Sequence, residues 1–216
     1  MVLRVAARTE PVVRPDEGAP GLQTVTLTLP PGGAARLALV SPGALDVDSD
    51  GSITVLDGAG TPVAAIAPPT LPEDMPDAPR VKVTETDATH ARVEVDGRIR
   101  AGRGSTSDGK GPGTTPLTVT LAVGTRAIDS ATWGENEGGR SLAVDPADWA
   151  RHAGEAGLDL IRAQLVAAEP DAGSATMGNQ LVCHAVGAPD KTTWNLEPWR
   201  PDVGLILTAS AHCNPV

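Results

Sequence analysis

The side chains best able to do chemistry crowd into the last part of the chain. Cys183 and Cys213 are its two cysteines, and three of its four histidines are His152, His184 and His212. Trp133, Trp149, Trp194 and Trp199 are its four tryptophans, in a sequence without Tyr or Phe. Pro198 and Pro201 flank Trp199-Arg200. Two prolines fix φ and forbid ordinary helix, so Trp194 to Pro201 reads as a rigid extended loop that presents its groups. There Glu197 offers an acid or base, Arg200 can clamp a carboxylate or phosphate with two parallel hydrogen bonds, and Asn195 both donates and accepts. With His184 to shuttle a proton, His184, Glu197 and Arg200 form a candidate hydrolytic set. Trp194, Asn195, Trp199, Arg200 and Asp202 form a candidate binding face, whose indoles can stack on sugar rings. The competing arrangement is structural: Glu197 and Arg200 as an internal ion pair, Trp194 and Trp199 filling a small core, and His184 at a helix end.

Two cysteines without a third fit a single disulfide of an exported protein, and they also fit two buried thiols. Cys183-His184 with His212-Cys213 would offer four metal ligands, but adjacent side chains on a helix diverge, and zinc sites favour ligands a few residues apart. No metal or cofactor is expected there. Asp46, Asp48 and Asp50 followed by Gly51 resemble the start of a calcium loop without its distal Glu, so a soluble turn competes with Ca²⁺ binding. Gly102-Arg103-Gly104 and Gly109-Lys110-Gly111 lack the residue order of a phosphate loop. No Gly-x-Ser-x-Gly elbow occurs, and cysteines bonded to each other cannot attack a substrate. Glu135 with Glu137 and Asp145 with Asp148 are acid pairs of the kind glycosidases use, yet one sits in a Gly-rich turn and the other at a helix start.

These residues need elements to position them. Leu22 to Leu29 alternates with one slip, either Thr24 or Val25 taking the inward place. Ala35 to Val40, Ser52 to Asp57, Val63 to Ala67, Val81 to Thr86, Ala91 to Val95 and Leu117 to Val123 are further strands bounded by Gly, Pro or Asp. Asp57-Gly58-Ala59-Gly60 and Asp87-Ala88-Thr89 are hairpin turns. Arg126 to Trp133 reads as a strand. Asp145, Pro146 and Asp148 then predict a helix with Asp145 as its cap, whose apolar face runs from Trp149 to Leu165 and which Gly154 and Gly157 can split before Pro170. A second helix is predicted from about Met177 to Val186, started by Ser174 or Thr176 and stopped by Gly187. Leu205 to Ala209 reads as a final buried strand.

The expected architecture is α+β: an N-terminal antiparallel β sheet or sandwich over residues 1–96, a Gly-rich linker and connecting strand over 97–127, and a small α+β domain over 128–216 stapled by one disulfide. The chain of 216 residues has 17 Lys and Arg against 27 Asp and Glu, a net charge of −10. That balance excludes nucleic-acid binding by general backbone neutralisation. No apolar run is long enough to span a membrane as a helix. Three Lys against fourteen Arg, with much Ala, Gly and Pro, match the usage of a high-GC bacterium.

Met177-Gly178-Asn179-Gln180-Leu181-Val182-Cys183-His184, then Lys191 to Asp202, then Cys213-Asn214-Pro215 resemble the actinobacterial secreted family called domain of unknown function 2599. Trp133-Gly134, Gly139-Arg140-Ser141-Leu142 and Trp149-Ala150-Arg151 resemble that family's opening, so the resemblance covers about residues 128–216. It implies export and a Cys183 to Cys213 pairing, and it supplies no established activity. Leu45 to Pro69 resembles an extracellular β domain found upstream of variable C-terminal modules in actinobacteria. Met1-Val2-Leu3-Arg4 is not followed by a continuous apolar segment, so export implies a leader removed from this sequence. The resulting expectation is a secreted or envelope-associated, non-catalytic module that binds an envelope glycan or protein; the alternative is a secreted toxin-like hydrolase using His184, Glu197 and Arg200. The oligomeric state has no signature.

Overall fold

The computed structural model describes residues 1–72, 79–96 and 115–216. Ten strands precede the first helix-bearing unit: β1 (Leu3–Ala6), β2 (Val12–Pro15), β3 (Leu22–Leu29), β4 (Ala34–Leu39), β5 (Gly43–Val47), β6 (Ile53–Asp57), β7 (Pro62–Ile66), β8 (Val81–Asp87), β9 (His90–Val95) and β10 (Leu117–Gly124). Among the described residues they form two antiparallel sheets, ordered β1-β4-β9-β8 and β2-β3-β10-β7-β6-β5. Alternation decides which faces meet. In β3 the inward residues are Leu22, Val25, Leu27 and Leu29, which locates the slip between Leu22 and Val25. Leu27, Leu29, Val119 and Leu121 of the larger sheet share one core with Leu37, Val93 and Val95 of the smaller. Each such fully buried aliphatic chain contributes roughly 1.5–3 kcal/mol of transfer free energy. The connecting strand is β10, paired along its length with β3 and at its end with β7. The linker residues 97–114, with both Gly-Arg-Gly and Gly-Lys-Gly runs, lie outside the described residues.

The second part begins with β11 (Ile128–Asn136) and β12 (Gly139–Pro146), then α1 (Asp148–Arg151), α2 (Gly154–Ala168), a 3-10 turn at Pro170–Gly173, α3 (Ala175–Gly187), β13 (Trp194–Leu196) and α4 (Gly204–Ser210). β12 is the centre of a three-stranded antiparallel sheet between β11 and β13. Leu142, Val144, Leu160, Ile161, Leu165, Leu181, Trp194 and Leu196 fill its core. The first part starts α2: Asp50 Oδ2 accepts the Glu155 amide at 2.9 Å and Ser52 Oγ accepts the Ala156 amide at 3.1 Å. These are two of the donors that a helix start leaves open. Gly154 has φ +72° there, and a Cβ would overlap the Asp50 carboxylate, so glycine alone fits between cap and helix. Ala65 of β7 joins the second core.

Three expectations need correction or extension. Asp145 is not a helix cap: pairing of β12 with β11 runs to Pro146, the Ala147 amide donates to Ala127 O at 2.9 Å, and α1 starts only at Asp148. The sheet claims the backbone that the cap would have used. Leu205 to Ala209 is not a buried strand but α4, with Leu205, Ile206 and Leu207 at 42%, 81% and 58% exposure. A short apolar run carries no period that separates strand from helix, and here no neighbouring strand pairs with it among the described residues. β1, β2 and β5 add strands beyond the seven expected in the N-terminal part, all at sheet edges.

The remaining helix signals match. A short helix precedes a longer one with Gly154 at the break, and α3 is capped by Ser174, whose Oγ accepts the Met177 amide at 3.4 Å.

Candidate functional site

Residues Trp194 to Asp202 are held from several sides, and their groups separate into two sets. Arg200 and Glu197 form a closed node. Their side chains are 1% and 0% exposed. Arg200 Nε donates to Glu197 Oε2, its Nη2 to Glu137 Oε2 at 2.5 Å and its Nη1 to Pro215 O at 3.2 Å. Asn136 Nδ2 donates to Glu197 Oε1 at 2.8 Å. The Glu197 backbone is bracketed by Gln180, which accepts its amide at 2.9 Å and donates to its carbonyl at 3.0 Å. Burial works against the Arg200 charge, but hydrogen bonds and attraction from Glu197 and Glu137 outweigh it and hold the guanidinium's pKa above its ordinary value. This node ties the β11–β12 hairpin, α3 and the last residues together.

Trp194 is fully buried, with the Arg151 guanidinium 5.3 Å from its ring centre. Trp199 is 44% exposed; Arg200 stacks at 4.5 Å from its centroid, and a Cβ at Gly139 would overlap the indole. Of the two indoles in the expected binding face, Trp199 is the one that solvent reaches. Asp202 Oδ1 accepts Asn179 Nδ2 at 3.0 Å and the Gly204 amide at 3.2 Å, anchoring the start of α4 to α3. Asn195 is half-buried, and its carbonyl faces His184.

His184, in the last turn of α3, is the second set. It is 4% exposed. Its Nε2 lies 3.2 Å from Asn195 O, a pure acceptor, so Nε2 carries the proton and donates. Nδ1 is then a bare lone pair, and it is buried without a partner. Burial lowers the pKa of the ring and the Lys191 ammonium lowers it further, against weaker opposing effects of the Asn195 carbonyl and Glu197. The ring is therefore neutral near pH 7. Two other buried polar atoms among the described residues lack partners, Ser141 Oγ and Trp194 Nε1. Trp194 borders a cleft of about 240 Å³ beside α2.

His184 lines a larger cavity of about 450 Å³ between α3 and α4. Its walls include Val182 and Val186 from α3 and Leu205 and Ala209 from α4, with the Cys183–Cys213 disulfide, Lys191, His212 and Asn214. The disulfide joins the end of α3 to the turn after α4 across 30 residues. That pairing removes the four-ligand zinc alternative. Glu197 and Arg200 are not among the lining residues. Lys191 is placed by Arg151, whose guanidinium donates to the carbonyls of Pro189, Lys191 and Thr192 at 2.8, 2.8 and 2.9 Å while pairing with Asp145 at 2.7 Å.

Arg151, Gln180 and Lys191 enter the sequence reading only inside the family-like runs and Glu137 only as half of an acid pair; none of the contacts they make here has a local signal. The Asp46, Asp48, Asp50 turn also has a structural use. Asp48 accepts Ser52 Oγ and Thr54 Oγ1 at 3.2 and 3.1 Å, and Asp50 caps α2, so these oxygens are engaged by hydroxyls and amides. Among the described residues no cluster of His, Cys, Asp or Glu is arranged to hold a metal.

Residues 128–216 match the family described as Protein of unknown function (DUF2599). That match covers the C-terminal part of the chain. Uncharacterized protein Rv0477 of Mycobacterium tuberculosis and uncharacterized protein Mb0487 of Mycobacterium bovis are each 39% identical over 64 residues, 28% of this chain and 43% of theirs. The matched region thus spans less than half the length of these curated relatives. No solved structure matches the chain. No helix among the described residues is long and apolar enough to cross a membrane.

Proposed function

We propose that residues 128–216 form a non-catalytic binding module that works outside the cytoplasm on a component of the cell envelope, with the α3–α4 cavity as its site. The carrying observation is the cavity itself: about 450 Å³, largely apolar, with a buried histidine whose Nδ1 has no partner. Ligand sites have this size and make-up, a mostly hydrophobic hollow with a few placed polar groups. The Cys183–Cys213 bond supports an oxidising compartment, where such bonds form and persist.

Binding fits better than hydrolysis. The lining contains no hydroxyl side chain and no carboxylate, and both its cysteines are bonded to each other. Glu197 and Arg200, the acid and clamp that hydrolysis would need beside His184, are engaged with one another and with Glu137 and Pro215. Filling the cavity with Ala209→Trp tests the reading. The variant should keep the wild-type melting temperature and lose binding to cell-envelope fractions. Retained binding by a folded variant would place the site elsewhere.

A further inference from the structure

We propose that the α3–α4 cavity takes a single carboxylic-acid amphiphile, its hydrocarbon tail between the two helices and its carboxyl group against His184 and Lys191. The inference rests on the cavity being the module's site and adds the chemistry of the ligand.

Where the helices face each other the walls are apolar, through Val182, Val186, Leu205 and Ala209. Val186 of that wall is 78% exposed, so the apolar lining is open to solvent, and an exposed apolar surface marks a contact site. The polar lining is of one sign. Lys191 brings a positive charge, the amide of Asn214 brings none, and no carboxylate joins them. In a chain of net charge −10 this local sign selects an anionic head. His184 adds a second requirement. With its Nε2 proton committed to Asn195 O, the ring has only an acceptor to offer, so a proton must enter with the head or from solvent.

A carboxyl group meets both demands. It arrives as the carboxylate, one proton follows from solvent to Nδ1, and the resulting imidazolium donates to one carboxylate oxygen while the other faces Lys191. No other covalent bond changes. The charged groups that act on the His184 ring are Lys191, which disfavours its protonation, and Glu197, which favours it. His212 lines the cavity from the turn after α4, and Asn195 on β13 presents only its carbonyl. An anionic ligand raises the proton affinity of the imidazole, so binding at neutral pH takes up protons and weakens as pH rises. An alcohol head supplies the proton without the charge, and a quaternary ammonium head meets Lys191 with like charge.

The test uses the full chain with decanoate, decanol and decyltrimethylammonium as probes. Calorimetry in two buffers of different ionisation enthalpy gives affinity and proton uptake, and amide NMR shifts locate the bound probe. Decanoate should bind at the cavity with proton uptake, with decanol weaker by about tenfold or more, as loss of a charge-assisted contact implies. Decyltrimethylammonium should not bind. Lys191→Met should cut decanoate affinity by about tenfold and leave decanol unchanged, and Ala209→Trp should abolish binding of both. Equal affinity for all three heads, or decanoate binding indifferent to Lys191→Met, overturns carboxylate recognition and keeps the cavity as a site. If no probe binds while envelope binding still vanishes in Ala209→Trp, the ligand class is wrong and the module stands. If Ala209→Trp changes nothing, both fall. Adsorption to phosphatidylglycerol vesicles that Ala209→Trp leaves intact overturns the single-ligand proposal in favour of a membrane surface.

Discussion

Arg200 and His184 are both nitrogen bases buried against the segment Trp194–Arg200, and they end in opposite states. Each nitrogen of the Arg200 guanidinium has a partner, in Glu197, Glu137 or Pro215, and the facing Glu197 is answered in turn by Asn136 and Gln180. His184 is answered on one nitrogen only. A buried polar network that is fully satisfied rigidifies a fold, whereas one left open carries a desolvation cost that a ligand can relieve. The difference supports a structural role for the node whose residue types looked most like a catalytic set, and leaves the histidine beside the disulfide as the group on which the proposed binding turns.

The largest expected effect comes from breaking the closed node. Arg200→Met strands Glu197 at 0% exposure without its counter-charge, which should cost about 3–5 kcal/mol in urea unfolding. Adding Glu197→Gln should recover much of the loss, since the uncompensated charge is then gone. If Arg200→Met melts like wild type, the node is not structural and the comparison fails.

Removing the disulfide is the next largest. Cys183→Ser with Cys213→Ser, or reduction of the native bond, frees a loop of 30 residues. The chain-entropy model puts the loss at roughly 3–4 kcal/mol. Calorimetry with and without reductant should show a lower Tm for the reduced chain, and equal values would mean that helix packing alone keeps the cavity wall in place.

His184→Gln should barely move stability, within about 1 kcal/mol, because a side-chain amide can still donate to Asn195 O. A drop comparable to that of Arg200→Met would make His184 a second structural node.

The smallest effect sharpens the comparison with a half-buried group. Burial lifts the Asp48 carboxyl to about 6, against hydrogen bonds from Thr54 and Ser52, with the Asp46 and Asp159 charges adding to the rise. A folded pKa above the unfolded value of 3.8 means that the native state holds the extra proton between the two. Asp48 therefore adds stability that is full below about pH 4 and is lost as pH rises through about 6. Urea midpoints of wild type and Asp48→Asn at several pH values should differ most in slope across that window. Parallel curves would show that Asp48 ionises as an ordinary surface carboxyl.

Strand alternation made β3, β4, β9 and β10 legible because these strands bury one face and their side chains repeat every second residue. β1, β2 and β5 lie at edges, where burial is partial and the pattern fades; β2 buries none of its four residues. Ser174 and Gly154 were readable as a cap and a break because a single residue's own chemistry makes the signal. Leu205-Ile206-Leu207 misled because an apolar run so short fits either element, and the bond from Cys213 to Cys183 and the Asp202 contacts hold it against α3 instead.

The sequence by itself determined which groups were available: a histidine near the end of a predicted helix, one Pro-flanked segment with Glu and Arg, one pair of cysteines, and alternating stretches able to make a sandwich. Those are properties of residue type and local spacing. Tertiary structure alone decided how each group was used. Glu197 and Arg200 meet Asn136 and Glu137 across 61 and 63 residues, while Nδ1 of His184 meets nothing. Whether a buried polar group is satisfied depends on every chain segment that reaches it, and local sequence does not encode that sum.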